Sequence, residues 1–264
     1  MSDNNPKTQV FFWPRCFVLR THHFVQQVDI KPYQRLSATL IISVEQPFRL
    51  RINENPAAEY QVALLSPHAR RHELHLTQPN SYLFDLGLSS PQYERINSLL
   101  RYGEATVPES AGELLEYLAG WRDKTLDCSN APQLLNDCVD MIAPQTSRPL
   151  IRDARIKRVL ELIDDLPRDE LSVSGLAAEV GLSESRLRSL AQRYLGCSLS
   201  RYMRWIAAWR SVEIWRPDMS FTEVAHAAGF HDLSHANRTF HELFGMPPSR
   251  MLKSPDIVVS RCNP

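Results

Sequence analysis

Apolar and polar positions follow two different rhythms along this chain of 264 residues. From Phe11 to Leu88 the apolar residues come in short bursts, "CFVLR", "ATLIISV", "FRLRI", "YQVALL" and "SYLFDLGL", separated by Pro, Asn, Gln and Ser clusters. In "FRLRI" the period is two, with Phe48, Leu50 and Ile52 on one face and Arg49 and Arg51 on the other, as in a half-buried strand. Several such strands predict an antiparallel barrel or jelly roll. After Ser89 the spacing lengthens to three and four. There "YERINSLLRYG" and "SAGELLEYLAGW" predict appended helices between Gln92 and Trp121, with Gly103 as a stop and Leu99, Leu100, Leu114, Leu115 and Leu118 as core candidates. Turn-formers bracket one apolar segment between Asp127 and Asp153. Beyond Leu150 the strand signals vanish, and "RIKRVLELIDDL", "LAAEV", "SRLRSLAQRYL", "RYMRWIAAWRSVEIW", "FTEVAHAA" and "LSHANRTFHELF" predict consecutive helices before a final short turn. The expected fold class is α+β and multidomain. A β-barrel or jelly roll with appended helices occupies 1–148, an all-α domain occupies 149–264, and the boundary lies near Ser147 to Leu150.

One phrase is written twice. "SVSGLAAEVGL", starting at Ser172, returns as "SFTEVAHAAGF" at Ser220, with Ala177 matching Ala225 and Gly181 matching Gly229. A helix-turn-helix unit needs a small residue where its first helix packs on its second, and a Gly four residues on for a left-handed turn. Ser220 with Glu223 has the form of a capping box, and Ser172 and Ser183 are single N-cap candidates. Behind each turn the next helix carries apolar residues at offsets 0, 3, 4 and 7: Leu187, Leu190, Ala191 and Tyr194 first, then Ala236, Thr239, Phe240 and Leu243. The opposite faces are wholly polar, with Ser185, Arg188, Ser189 and Gln192 in one and Ser234, Asn237, Arg238 and His241 in the other. Arg addresses guanine, Asn and Gln address adenine, and Ser lets a backbone approach base edges in a major groove. A plain helical bundle would also turn polar faces outward; the doubled Ala-x-x-x-Gly turn with a matched helix behind each copy favours two helix-turn-helix units, about 172–196 and 220–245. Between them a long apolar helix with Trp205, Trp209 and Trp215 is suited to bracing both.

Composition adds little that is specific. Net charge is zero, with 14 basic and 16 acidic residues up to Leu150 and 11 basic against 7 acidic from Ser183 onward, so any positive face lies toward the carboxyl end. The polar start "MSDNNPKTQV" and the lack of a long apolar run predict a soluble, unexported protein without a membrane partner. Five scattered cysteines without CxxC spacing suggest neither a disulfide framework nor a zinc ribbon, and a reducing cytoplasm fits. Histidines 22, 23, 68, 72 and 75 invite a metal hypothesis, but neighbours in a strand, or residues three apart, point to opposite faces. His231 and His235 have helical ligand spacing without an evident third ligand. No metal or cofactor is expected. Without a nucleophile–base pair or a Gly-rich phosphate loop, no catalysis is expected either. The alternative reading is a cupin-like small-molecule-binding protein or metalloenzyme with a helical appendage, which would require a convergent metal triad.

Residues 151–253 resemble the DNA-binding domain of the AraC/XylS family of bacterial transcription regulators, above all in "AGFHDLSHANRTFHELFGMPPSRM", where Gly229 with Phe230, Phe244 with Gly245, and Pro248 match the family pattern. The resemblance implies that Ser185, Arg188 and Ser189 face one major groove of promoter DNA while Leu233, Ser234, Asn237 and Arg238 face the next. Arg186, Arg193 and Arg201 would hold phosphates. Leu233 could press on a thymine methyl or belong to the core. The DNA-contacting set is thus Ser183, Ser185, Arg186, Arg188, Ser189, Gln192 and Arg193 in the first unit, and His231, Leu233, Ser234, Asn237, Arg238 and His241 in the second. Ala207, Ala191 and Ala236 depart from the family's usual Arg, Phe and aromatic. More faintly, residues 33–88 resemble the family's cupin-like amino-terminal domain; His72 aligns with its later histidine, but Tyr33, Gln34 and Arg35 stand where a first histidine cluster often lies. This implies a metal-independent sensor or dimerisation module. The implied partners are double-stranded promoter DNA, RNA polymerase in the case of an activator, a small-molecule effector and a second copy of the chain.

Overall fold

A computed structural model describes residues 8–27, 32–143, 153–165 and 170–262. The chain forms two compact units, Met1–Arg148 together with Glu242–Pro264, and Pro149–His241. The predicted boundary near Ser147 to Leu150 lies outside the described residues.

The first unit is built on β1 (Thr8–Trp13), β2 (Cys16–Thr21), β3 (Phe24–Gln27), β4 (Ser37–Ser43), β5 (Phe48–Ile52), β6 (Ala58–Tyr60), β7 (Val62–Leu65), β8 (Arg71–Leu76), β9 (Ser81–Gly87), β10 (Ala105–Thr106) and β11 (Ile257–Arg261). One sheet runs β10-β7-β4-β9-β2-β1-β11 and the other β3-β8-β5-β6. Strand β5 keeps the expected alternation, Phe48, Leu50 and Ile52 being buried and Arg49 and Arg51 turned outward. Strands β4 and β9 are buried along their whole length, as central strands covered on both faces must be.

Helices α1 (Pro91–Ile96), α2 (Ala111–Ala119) and α3 (Ala131–Ile142) complete the amino-terminal part. The sequence predicts more helix here than the chain forms. Ser90 caps α1 and Pro91 opens it, but α1 stops at Ile96 and gives way to a single 3-10 turn at Asn97–Leu99. The chain then returns to extended backbone so that β10 can pair with β7, with Gly103 at φ +72°. Leu99, a predicted core residue, is consequently exposed, whereas Leu114 and Leu118 of α2 are buried.

Two further expectations are overturned at the far end of the chain. After α10 (Pro248–Leu252) comes β11, where a final short turn without strand was expected. It pairs in parallel with β1 from Thr8 opposite Ile257 to Phe12 opposite Arg261. Cys262, just past it, forms a disulfide with Cys128, 134 residues away in sequence, while Cys16, Cys138 and Cys197 are free and buried. Neither partner choice leaves a local trace, because each is decided by chain segments that meet only after folding. The pairing places Glu242–Pro264 with the first unit, where the sequence reading continued the second domain to its end.

The second unit comprises α4 (Ala154–Asp165), α5 (Val173–Glu179), α6 (Glu184–Leu195), α7 (Leu199–Ile214), α8 (Phe221–Ala227) and most of α9 (Leu233–Phe244). Helix α7 packs on α4, α6 and α8, the bracing role its apolar length predicts. Trp205 is fully buried and meets Trp209 edge-on, with ring centroids 5.7 Å apart. Arg210 closes the end of α4 by donating to the carbonyls of Ile163 at 2.7 Å and Asp164 at 3.0 Å. Among the described residues no helix is long and apolar enough to cross a membrane.

Candidate nucleic-acid interface

The repeated phrase folds into the same backbone twice. Gly181 and Gly229 both take the left-handed conformation, at φ +64° and +86°. In each copy the N–H of the residue just after the Gly closes back on the matched Ala: Leu182 donates to the Ala177 carbonyl and Phe230 to the Ala225 carbonyl, both at 2.9 Å. The Gly N–H groups donate one turn inside, to Ala178 at 3.1 Å and His226 at 2.9 Å. This pair of bonds satisfies the carbonyls orphaned at a helix end. Ala177 and Ala225 are buried, as the close packing of paired helices requires.

Helix starts are specified with equal care. The Ser172 hydroxyl accepts from the Gly175 N–H and that of Ser183 from the Arg186 N–H. Ser220 and Glu223 form the complete capping box, and the Ser220 backbone N–H first, then its hydroxyl, hold the Glu223 carboxyl below its ordinary range. The start of α9 is fixed by Asp232, which sequence reasoning missed. Its carboxylate accepts from the His235 N–H at 2.6 Å, and that bond, aided by His231, lowers its pKa. An Asp directly before the amphipathic run is itself a start signal, available from the sequence alone.

These caps and turns set the faces of α6 and α9. On α6, Leu187, Leu190 and Ala191 are buried and Tyr194 half-buried, while Ser185, Arg188, Ser189 and Gln192 all lie exposed on the opposite flank. Arg186 and Arg193 are exposed beside them, and Arg201 on α7 is half-buried. Arg188 bonds to Glu184 one turn earlier at 3.2 Å, with both side chains about half exposed, so the pair is a weak, exchangeable one. On α9, Ala236, Thr239, Phe240 and Leu243 are buried and Ser234, Arg238 and His241 exposed. Asn237 and Leu233 are half-buried, and part of the Leu233 surface therefore faces outward. His231, ahead of the helix, is exposed with its Nδ1 3.1 Å from the Asp232 carboxylate. Ser183 differs from its neighbours because its hydroxyl is engaged as the α6 cap. His235, also absent from the predicted set, packs edge-on against Phe230, and burial followed by Arg204 and Arg238 lowers its pKa.

The small residues at 191, 207 and 236 are all buried. Among the described residues no three His, Cys, Asp or Glu side chains gather as a metal ion would require.

A family profile described as a helix-turn-helix domain matches residues 176–254. Over 95 residues the chain is 30% identical to the HTH-type transcriptional regulator GbdR of Pseudomonas aeruginosa, a stretch covering 36% of this chain and 26% of that protein. The chain therefore spans about a quarter of the length of that curated relative. Among solved structures, a single-substitution variant of apo ToxT from Vibrio cholerae aligns with 89% of this chain and 96% of its own, at a TM-score of 0.55 and 11% identity. Wild-type ToxT with an unsaturated fatty acid bound aligns with 95% of this chain and 96% of its own, at a TM-score of 0.51 and 13% identity. The shared fold is a β domain with helices followed by a helical helix-turn-helix domain.

Proposed function

We propose that this chain, whose residues 176–254 match a helix-turn-helix domain family, is a sequence-specific transcription regulator of the AraC type acting on promoter DNA in the cytoplasm. What carries the reading is the doubling itself: two identically built turns each present a helix with a buried apolar stripe and an exposed polar flank. Ser185, Arg188, Ser189 and Gln192 read one major groove, and Leu233, Ser234, Asn237, Arg238 and His241 read the next. Arg186 and Arg193, with His231, hold the phosphate backbone and fix the register, and Ser183 sets the start of the first reading helix. The first unit serves as the sensor for a small-molecule effector and as the surface for pairing with a second copy; RNA polymerase is the further partner where binding activates. Mapping the protein on its host genome, followed by duplex titration across a salt series, tests this. Discrete promoter sites whose two half-motifs are about one helical turn apart support it. Binding of equal strength to any duplex, with only the salt dependence of phosphate contacts, contradicts it.

A further inference from the structure

Between the two sheets of the first unit three charged side chains are buried together: Arg35, 5% exposed, Arg71, 2%, and Asp85, 1%. Arg35 Nη1 donates to Asp85 Oδ2 at 2.7 Å. Arg71 Nη2 donates to the Thr39 hydroxyl at 2.7 Å, and that hydroxyl donates onward to the same Asp85 oxygen at 3.2 Å. Two guanidinium groups thus share one carboxylate. Among the described residues, Arg71 Nε and Nη1 and Arg35 Nε meet no acceptor in hydrogen-bond geometry, and Asp85 Oδ1 meets no donor.

This arrangement is aimed by the backbone. Across β5 and β8, Leu50 faces Leu74 and Arg51 faces Glu73, but Ile52 faces Arg71, so His72 is skipped. In a regular strand Arg71 would share the outer face of Glu73 and His75. The bulge turns it onto the inner face instead, the re-aiming for which bulges are known. Burial first, then the neighbouring Arg35, lowers the Arg71 pKa to about 10, so the side chain is still charged at neutral pH. A buried charge without its counter-charge is strongly destabilising, and a fold that builds a bulge to create one leaves a place for an anion.

We infer that this interior binds a small organic carboxylate carrying a hydroxyl or amino donor. The carboxylate accepts from the open N–H groups of Arg71 and Arg35, the donor meets Asp85 Oδ1, and the buried charge closes to zero. The surrounding shell also holds the end of α9. The Tyr33 ring lies 6.0 Å from the Arg35 guanidinium carbon and 5.9 Å from that of Arg71, and the Phe244 ring lies 5.7 Å from Arg35. The Tyr33 hydroxyl donates to Gln26 Oε1 at 2.7 Å, and Gln26 Nε2 donates to the Phe244 carbonyl. A ligand that draws on Arg71 and Arg35 therefore acts on the segment that terminates the second reading helix. That consequence rests on the regulator reading above; the binding itself does not.

Thermal unfolding of the full chain without DNA separates the two. Acetate and glycolate, which is acetate with a hydroxyl beside the carboxylate, are compared with chloride at equal ionic strength. Glycolate is expected to raise Tm by about 3–5 °C once present at tenfold its Kd, and acetate by less. Arg71→Met is expected to abolish the response, while Arg49→Met, on the outer face of β5, keeps it. The site is refuted if neither carboxylate exceeds chloride on the unmodified protein, or if Arg71→Met responds as the unmodified protein does. Arg71→Lys, which keeps the charge, is expected to retain a weakened response and covers the case in which Arg71→Met fails to fold. Because DNA is absent, loss of the anion response leaves the regulator reading intact, and failure of DNA binding leaves the anion site intact.

Discussion

The two helix-turn-helix copies match closely at their turns and differ at the far ends of their second helices. Helix α6 ends at Gly196, φ +67°, with its N–H on the Gln192 carbonyl, inside the same compact unit that holds the rest of its copy. Helix α9 ends at Gly245, φ +70°, in a turn that belongs to the first unit. There a Cβ on Gly245 would meet Gln26 Nε2 and Tyr33 Cδ1, each at 2.6 Å. The first copy is thus finished by its own neighbours and the second by the β domain. Among the described residues, the end of α9, unlike that of α6, falls in the unit that holds Arg35, Arg71 and Asp85. An effector shifts a conformational equilibrium only through contacts that differ between states, and the contacts of the α9 end with Gln26, Tyr33 and Arg35 are the ones the proposed ligand would have to change.

This contrast can be broken by substitution. The largest effect is expected at the α9 end: Gly245→Ala combines left-handed backbone strain with overpacking and should cost about 4 kcal/mol in urea unfolding, against about 1–2 kcal/mol for Gly181→Ala, whose Cβ meets open space. Equal costs would mean that the contacts with Gln26 and Tyr33 add nothing to the left-handed strain at Gly245. Next, Cys262→Ser, or reduction of the unmodified protein, should remove about 3 kcal/mol by freeing the chain end that carries β11. At the helix starts, Ser220→Ala dismantles a capping box and should cost about 1–2 kcal/mol, whereas Ser172→Ala removes a single bond and should cost about 0.5–1 kcal/mol. The smallest effect is a pH dependence peculiar to the second copy. His235 has a folded pKa below its ordinary 6.5, so on acidification the unfolded chain takes up the proton first. The stability tied to its neutral form is fully present above about pH 6.5 and declines below it until the folded pKa is passed. His235→Gln should flatten that decline in chemical denaturation measured from pH 7.5 to 5.

What could be read in advance was what is local. The Ala-x-x-x-Gly turns, the Ser caps and the stripe of Leu187, Leu190 and Ala191 each depend on residues within one or two turns, and each is found where its spacing predicts it. The alternation of β5 declared itself for the same reason. What escaped depends on partners far away in the chain. β11 is five residues whose direction is set by β1, Cys128 meets Cys262 across 134 residues, and Arg71 reads as an outward strand residue until the register slip opposite Arg51 and Ile52 reverses it. The over-extended helix beyond Ile96 has a similar cause, since pairing with β7 claims Ala105 and Thr106 for a strand. Asp232 is a different kind of miss, a legible cap passed over beside the more conspicuous histidines.

The central claim is that two separate polar flanks each read their own stretch of duplex. The most direct measurement scans every base pair of a bound promoter site for its effect on affinity, with the unmodified protein and with Arg188→Ala and Arg238→Ala. Each substitution should lower discrimination by about 1–3 kcal/mol at its own half-site, the two half-sites lying about one helical turn apart, and leave the other half-site unchanged. Uniform weakening across matched and scrambled duplexes alike, or both substitutions acting on the same base pairs, would contradict the account.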